Sequence, residues 1–187
     1  MPRKPRNFVA GMIYHVINRG NRRFKIFEVE RDYHLFENLV FEMARRYNIS
    51  IVGYCLMPNH WHLLLRNDSD GELSRAMHWL GTAHTKRYHK IKKTVGSGPI
   101  YQGRFKSVVI KSDEQLERTL RYVERNAKAA NLVSEAKIWR WSSLWWWPSN
   151  DFEVIFTPVF NRRSNWSNFV NQPLTAKEYD KMIEENP

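Results

Sequence analysis

The sequence predicts an α+β fold: an antiparallel sheet of ferredoxin-like topology with helices packed on it. Three observations carry the prediction. Segments of period 2 and period 3.6 follow one another as strand, helix, strand, strand, helix, strand, helix, and the first six match a split β-α-β pattern. The second and third strands are separated by just Met57-Pro58-Asn59, a connection so short that the pair must be antiparallel. The 187 residues are 42% hydrophobic and 14% aromatic, enough for one core plus an extension and too few for two full domains.

The elements follow in order. After a basic, proline-containing arm, Met12 to Arg19 alternates Ile13, His15 and Ile17 with Tyr14, Val16 and Asn18, which is strand periodicity. Asn18-Arg19-Gly20-Asn21 reads as a turn, with Arg22 and Arg23 just beyond it. Residues 31–47 place Leu35, Phe36, Leu39, Val40, Met43 and Tyr47 on one helical stripe. Ile49 to Leu56 is the second strand and Met57-Pro58-Asn59 the turn into the third, where Pro58 withholds no ladder hydrogen bond. Asp68 to Gly71 breaks the pattern. A second helix runs from about Leu73 to Ile91 on the stripe Leu73, Met77, Leu80, His84 and Ile91. Lys92 to Gly103 is a loop, and Phe105 to Lys111 a fourth strand. Ser112-Asp113-Glu114-Gln115 is a capping-box signature, so a third helix begins there and reaches about Ala130, burying Leu116, Leu120, Val123, Ala127 and Ala130. There is no internal repeat and no low-complexity tract.

Charge narrows the partners. The net charge is +11 and the pI about 9.9, which favours an anionic polymer. From Leu73 to Ser112 there are nine Lys and Arg residues and no carboxylate, and residues 1–31 carry eight basic residues against Glu28 and Glu30. A merely solvated lysine face has acids interspersed, whereas long acid-free stretches studded with aromatics suit nucleic acid. No stretch approaches the roughly 20 apolar residues of a membrane span. Arg3, Lys4 and Arg6 have no long apolar segment behind them, so no secretory signal is expected. The single Cys55 has no internal disulfide partner, which fits a reducing cytoplasm, with a nucleoid-associated location following from the charge.

The chemistry gathers on two elements. On the third strand His60 and His62 share one face, while Trp61, Leu63 and Leu65 share the other and anchor the strand. Two imidazoles so placed can reach the same small ion. On the third helix Tyr122 and Asn126 are four residues apart and stack on one face, with the small residues Thr119 and Ala129 nearby. An amide oxygen from Asn126 could complete a His-His-Asn set around a divalent cation, with the Tyr122 phenol one turn away. Each residue has a plainer reading: structural histidines, a half-buried aromatic at a helix–sheet seam, a surface amide. The joint pattern of H-x-H on a strand and Y-x-x-x-N on a capped helix is much harder to reach by chance.

These residues carry a resemblance. The chain resembles the REP-associated tyrosine transposases, relatives of the single-tyrosine HUH transposases of bacterial insertion sequences. The matching stretches are Tyr14-His15-Val16 with Arg19-Gly20, and Tyr54 through Leu64 around His60-Trp61-His62. They continue with Gln102-Gly103-Arg104-Phe105-Lys106-Ser107, Arg121-Tyr122-Val123-Glu124-Arg125-Asn126 and Trp139-Arg140-Trp141-Ser142-Ser143. The resemblance implies an HUH-type sheet, with His60, His62 and Asn126 as ligands of Mg²⁺ or Mn²⁺ and Tyr122 as the nucleophile that cuts single-stranded or hairpin DNA. Attack would leave a 5′-phosphotyrosine and a free 3′-hydroxyl. One departure is local: Asn126-Ala127-Lys128-Ala129-Ala130 stands where the family usually has Asn-Pro-Val-Arg-Ala, so Ala127 lets the helix run on where proline would end it.

Arg19, Arg22, Arg23, Arg104 and Lys106 are the candidates for phosphate and hairpin contacts. Tyr101 and Phe105 are candidates for stacking on unpaired bases, with a core role the stronger reading for Phe105. Most of Trp139, Trp141, Trp145, Trp146 and Trp147 are expected to cover the sheet or anchor the C-terminal segment. Residues 1–148 are expected to form the HUH transposase-like catalytic domain and 149–187 a C-terminal extension. That extension is less basic and ends in an acidic helix over 175–187. It is read as a packing or disordered tail, with competition against DNA for the basic cleft as the alternative. Two other functions are weighed: a non-catalytic nucleic-acid-binding ferredoxin-like module, whose paired RNP aromatics are missing here, and a hydrolase in which His60 and His62 activate water. Monomer and homodimer both remain open.

Overall fold

In the computed structural model β1 (Ile13–Arg19), β2 (Ile49–Met57), β3 (His60–Asn67) and β4 (Lys106–Ile110) form one sheet in the order β2-β3-β1-β4. Every pairing is antiparallel, as the split β-α-β pattern requires. The structure describes residues 8–149, 156 and 161–185. The basic arm at Arg3, Lys4 and Arg6, and Asp151 and Glu153 of the extension, lie outside the described residues.

The sheet has two covered faces. Helices α1 (Glu30–Tyr47) and α2 (Glu72–Lys92) pack on one, where Val16, Phe36, Leu39, Trp61, Leu63, Leu65 and Leu80 form the larger core. Helix α3 (Asp113–Ala129) packs on the other, where Val52, Cys55, Leu64, Leu116, Leu120 and Val123 form the second. The helical stripes fall as periodicity predicts, except at two ends. Ile91, in the last turn of α2, is half-buried, and Ala130 is exposed because it is the residue on which α3 leaves the helix.

Strand β2 holds a bulge: Ile51 pairs with Leu65 and Gly53 with Leu64, so Val52 is an extra residue. The bulge keeps Ile51 and Tyr54 in the larger core although they are three apart. It also turns Gly53 toward α3, where a Cβ would lie 2.4 Å from Leu120 Cδ1. A glycine is what lets α3 sit this close.

At the start of α3, Ser112 Oγ accepts the Gln115 N–H at 3.2 Å, as the capping signature predicts. The reciprocal bond differs. The Gln115 side chain accepts from the Lys111 N–H at 2.7 Å rather than from Ser112. At the other end the helix passes through Ala127 to Ala129, so alanine does let it run on.

The chain beyond α3 wraps the fold. The Trp141 carbonyl accepts from the Leu56 N–H at 2.8 Å and Ser142 bridges to Cys55, which covers the outer edge of β2. Trp141 stacks on Tyr33, Trp139 donates to the Leu56 carbonyl, and Trp146 donates to the Tyr54 hydroxyl. The tryptophans are therefore mostly packing, with Trp145 the exposed exception. Beyond the short helix α4 (Ser143–Trp146), helices α5 (Trp166–Asn171) and α6 (Ala176–Glu185) lie on α3. Trp166 Nε1 donates to Glu124 at 2.6 Å, and Arg162 donates to the same buried carboxylate at 2.9 Å. Arg121 on α3 reaches Glu178 at 2.9 Å and the carbonyls of Gln172 and Pro173. A packed tail is what these contacts describe.

Candidate active site

The sheet register decides which side chains meet. On β3, alternation sends Trp61, Leu63 and Leu65 into the larger core and leaves His60 and His62 on the α3 face. Opposite residues of an antiparallel pair share a face, so Arg19 joins His60 and Ile17 joins His62. Helix α3 crosses over them with Tyr122 and Asn126 pointing down. The rings of His60 and His62 lie 5.1 Å apart, and the Tyr122 ring stands edge-on to His62 at 5.6 Å. Asn126 Nδ2 is 3.4 Å from His62 Nε2, and the same amide influences the protonation of His60 and Tyr122. Phenol, two imidazoles and amide thus converge on one place.

Hydrogen bonds set the imidazole tautomers. The Asn59 carboxamide donates its N–H to the Arg23 carbonyl, so its oxygen faces His60 Nδ1, 2.6 Å away, and Nδ1 must carry the hydrogen. His62 Nδ1 lies 2.9 Å from His15 Nε2. With Asn126 donating to His62 Nε2, the hydrogen of His62 is on Nδ1 and is donated to His15. Both site imidazoles therefore present an Nε2 lone pair. Burial first, and then the Arg19 charge, push His60 down to about 4. Burial, reinforced by His15, His60 and Arg19, holds His62 well below the usual imidazole range. Both rings are neutral electron-pair donors at physiological pH. The Tyr122 phenol is pushed up by burial, while Asn126 and Arg19 pull it back.

His60, His62 and Tyr122 open onto a cavity of about 580 Å³ that Arg19, Gln102, Lys106 and Ser107 also line. Among the described residues no carboxylate lines it, so its charge suits an anion. Among the described residues, no cluster of three His, Cys, Asp or Glu side chains suits a metal ion. A cation here would draw on two imidazoles and an amide, and would need oxygens from its substrate. The donor set fits a divalent ion on those terms: each imidazole is neutral, has Nε2 free of hydrogen, and is oriented through Nδ1 by a partner.

The structure brings together Tyr122, His60, His62, Asn126, Arg19 and Lys106. Arg104 is elsewhere: it lines a second cavity on the opposite face of the sheet. Arg22 and Arg23 sit exposed on a 3-10 turn (Asn21–Arg23) and line neither cavity. Tyr101 corrects the stacking expectation. Its hydroxyl accepts from Trp61 Nε1 and meets His84 Nδ1 at 2.6 Å, so it is a core residue. His15 was missed as a site residue. Its position on the same face of β1 was readable, but not the register that sets it beside His62.

Comparison with known proteins places the chain in a family. The family described as "Transposase IS200 like" matches residues 8–126, a span that takes in the whole sheet and ends on Asn126. The chain belongs to the IS200-like transposase family. A Haemophilus influenzae protein named "Putative REP-associated tyrosine transposase" is 25% identical over 116 residues, 58% of this chain and 66% of that protein. The alignment thus spans just under two thirds of that relative. A solved structure of a REP-associated tyrosine transposase bound to a REP hairpin superposes with a TM-score of 0.63, covering 94% of this chain and 100% of that one at 16% identity. A structure described as a "putative transposase" from Deinococcus radiodurans covers 66% of this chain and 96% of its own at 19% identity, with a TM-score of 0.47. The resemblance drawn from the motifs and the antiparallel α+β fold both stand.

Proposed function

We propose that this transposase is a metal-dependent single-stranded DNA endonuclease and strand transferase acting through a 5′-phosphotyrosine on Tyr122, with REP-like hairpin DNA as its substrate. The observation that carries the reading is the convergence of the Tyr122 phenol and two neutral imidazoles on one cavity that no described carboxylate lines, with the Asn126 amide against His62. His60, His62 and Asn126 would hold Mg²⁺ or Mn²⁺. When bound, such an ion supplies Lewis acidity to a phosphate oxygen.

The chain's own residues do the rest. Arg19 and Lys106 offset phosphate charge at the mouth of the cavity. The Tyr122 oxygen attacks phosphorus, forming a P–O(Tyr) bond as the P–O3′ bond breaks. The phenol gives up its proton and the departing 3′-oxygen takes one, so the step is proton-neutral. The phosphodiester energy stays in the tyrosyl linkage, and another 3′-hydroxyl can reverse it without ATP. Residues 1–148 form the catalytic unit in this reading and 149–187 its extension.

A neutral phenol is a poor nucleophile, and burial makes it poorer. That argues for turnover that rises with whatever neutralises phosphate charge beside it. The test is a denaturing gel of the protein with labelled single-stranded hairpin DNA and Mn²⁺. Wild type should give a covalent band, and Tyr122→Phe none, with DNA affinity within about twofold of wild type. Adducts on Tyr122→Phe would move the nucleophile elsewhere, Tyr179 of α6 being the next phenol to examine, since it lies near enough to raise the Tyr122 pKa. Cleavage without any adduct would instead favour the hydrolase.

A further inference from the structure

A groove of about 620 Å³ lies across the sheet from the Tyr122 cavity, between α2 and residues 101–105. Its lining comes from the acid-free stretch 73–112, with Asn18 as the single addition, so among the described residues no carboxylate faces it. Lys86 and Arg104 stand exposed on its walls, and among the described residues neither is held in an ion pair. Phe105, half-buried against Phe8, supplies an aromatic wall.

Gly81 is the informative residue. It sits in the middle of α2, where glycine forfeits helix stability relative to alanine. Gly20 and Gly53 have an internal reason to be glycine, because a Cβ would meet Phe24 O at 2.5 Å or Leu120 Cδ1 at 2.4 Å. Gly81 has none. A Cβ there meets nothing within 4 Å, and the same holds for Gly103 on the facing wall. The room they leave is room in the groove.

The two cavities share a wall. Gln102, Lys106 and Ser107 line the Tyr122 cavity, while Gly103, Arg104 and Phe105 line the groove. The wall lies at β4, the edge strand of the sheet, so a chain leaving one cavity reaches the other over that edge.

We infer that this groove is a subsite for unpaired nucleotides of the DNA strand whose scissile phosphate lies at Tyr122. Lys86 and Arg104 hold the sugar–phosphate backbone, Phe105 takes a base face, and Gly81 and Gly103 leave the space. The link to the scissile strand rests on the reading of Tyr122 above, whereas single-strand binding in the groove does not. Positive charge with an aromatic platform is the general recipe for sequence-tolerant single-strand binding.

The test fills the groove. Gly81→Leu puts a better helix former into open space, so its thermal melt should not fall below wild type. Affinity is read by fluorescence anisotropy with labelled oligothymidylate and, separately, with a blunt DNA duplex. Gly81→Leu should weaken oligothymidylate binding by about tenfold and leave duplex binding within about twofold. If the leucine variant melts early, Lys86→Ala with Arg104→Ala decides by the same two probes. Unchanged oligothymidylate binding, or equal loss on both probes, overturns the subsite. A wild-type protein that forms no adduct with hairpin DNA would instead defeat the Tyr122 reading and leave the oligothymidylate comparison to judge the groove by itself.

Discussion

His15 touches the proposed chemistry through another residue. Its Nε2 lies 2.9 Å from His62 Nδ1, and the two rings stack 5.2 Å apart. An acceptor at that point keeps the His62 hydrogen on Nδ1 and the lone pair on Nε2. His15→Leu removes the acceptor and should weaken Mn²⁺ binding by about tenfold, measured by calorimetry on DNA-free protein, while His15→Gln recovers part of the loss. Tyr122→Phe should leave Mn²⁺ affinity unchanged. A leucine variant that binds Mn²⁺ like wild type would show that His15 is packing and nothing more. The contrast with His60 and His62 shows what a sequence carries at this scale. Spacing within one strand or one helix puts H-x-H and Y-x-x-x-N on definite faces, and both faces were readable. His15 meets His62 through a register between two strands 47 residues apart, which no local period encodes. Tyr101 failed for a related reason: alternation tells which residues share a face, not which face is covered.

Two glycines make the same point for whole elements, because the same substitution has opposite signs in them. In β2, Gly53 lets α3 approach until Leu120 occupies the place of a Cβ. Gly53→Ala must move Leu120, which lies in the second core, and with it the helix that carries Tyr122 two residues on. Urea unfolding should show a loss of about 1–3 kcal/mol. In α2, Gly81→Ala meets open space and should gain up to about 1 kcal/mol. A neutral Gly53→Ala would mean that α3 seats more loosely than the contact implies. Element order, the capped start of α3 and its passage through Ala127 could all be read from periodicity and cap chemistry. The bulge at Val52 could not, since it shows as one extra apolar residue in an already apolar strand. Nor could the cover that Trp141 and Ser142 lay along the edge of β2, which depends on a return of the chain from 85 residues away.

At the scale of the whole molecule, His62 and His84 are buried and His60 half-buried, and among the described residues none of them is hydrogen-bonded to a carboxylate. His84 is packed between Phe27 and Phe36, bonded to the Tyr101 hydroxyl, and burial pushes it down to about 3. His62 is held low by burial in the same direction. In the unfolded chain each returns to about 6.5. As pH falls below that value the unfolded state takes up protons and the native state does not, so the equilibrium shifts toward unfolding. The stability associated with these neutral rings is complete above about pH 6.5 and declines by about 1.4 kcal/mol per pH unit for each histidine, until the pH reaches the folded-state value. One carboxylate works against this trend: burial raises Glu37, so the fold takes up that proton before the unfolded chain does, but it stands against three depressed histidines, His60, His62 and His84, and it is present alike in wild type and in a His84 variant. Urea unfolding of metal-free protein should therefore show stability falling steeply from pH 7 to 5.5. His84→Gln keeps a partner for the Tyr101 hydroxyl and cannot titrate, so it should be less stable at pH 7 yet follow a slope shallower by about 1.4 kcal/mol per unit below pH 6.5. Parallel slopes for the two proteins would show that His84 is protonated as easily in the fold as out of it, and that the core around Tyr101 admits a charge its burial says it should refuse.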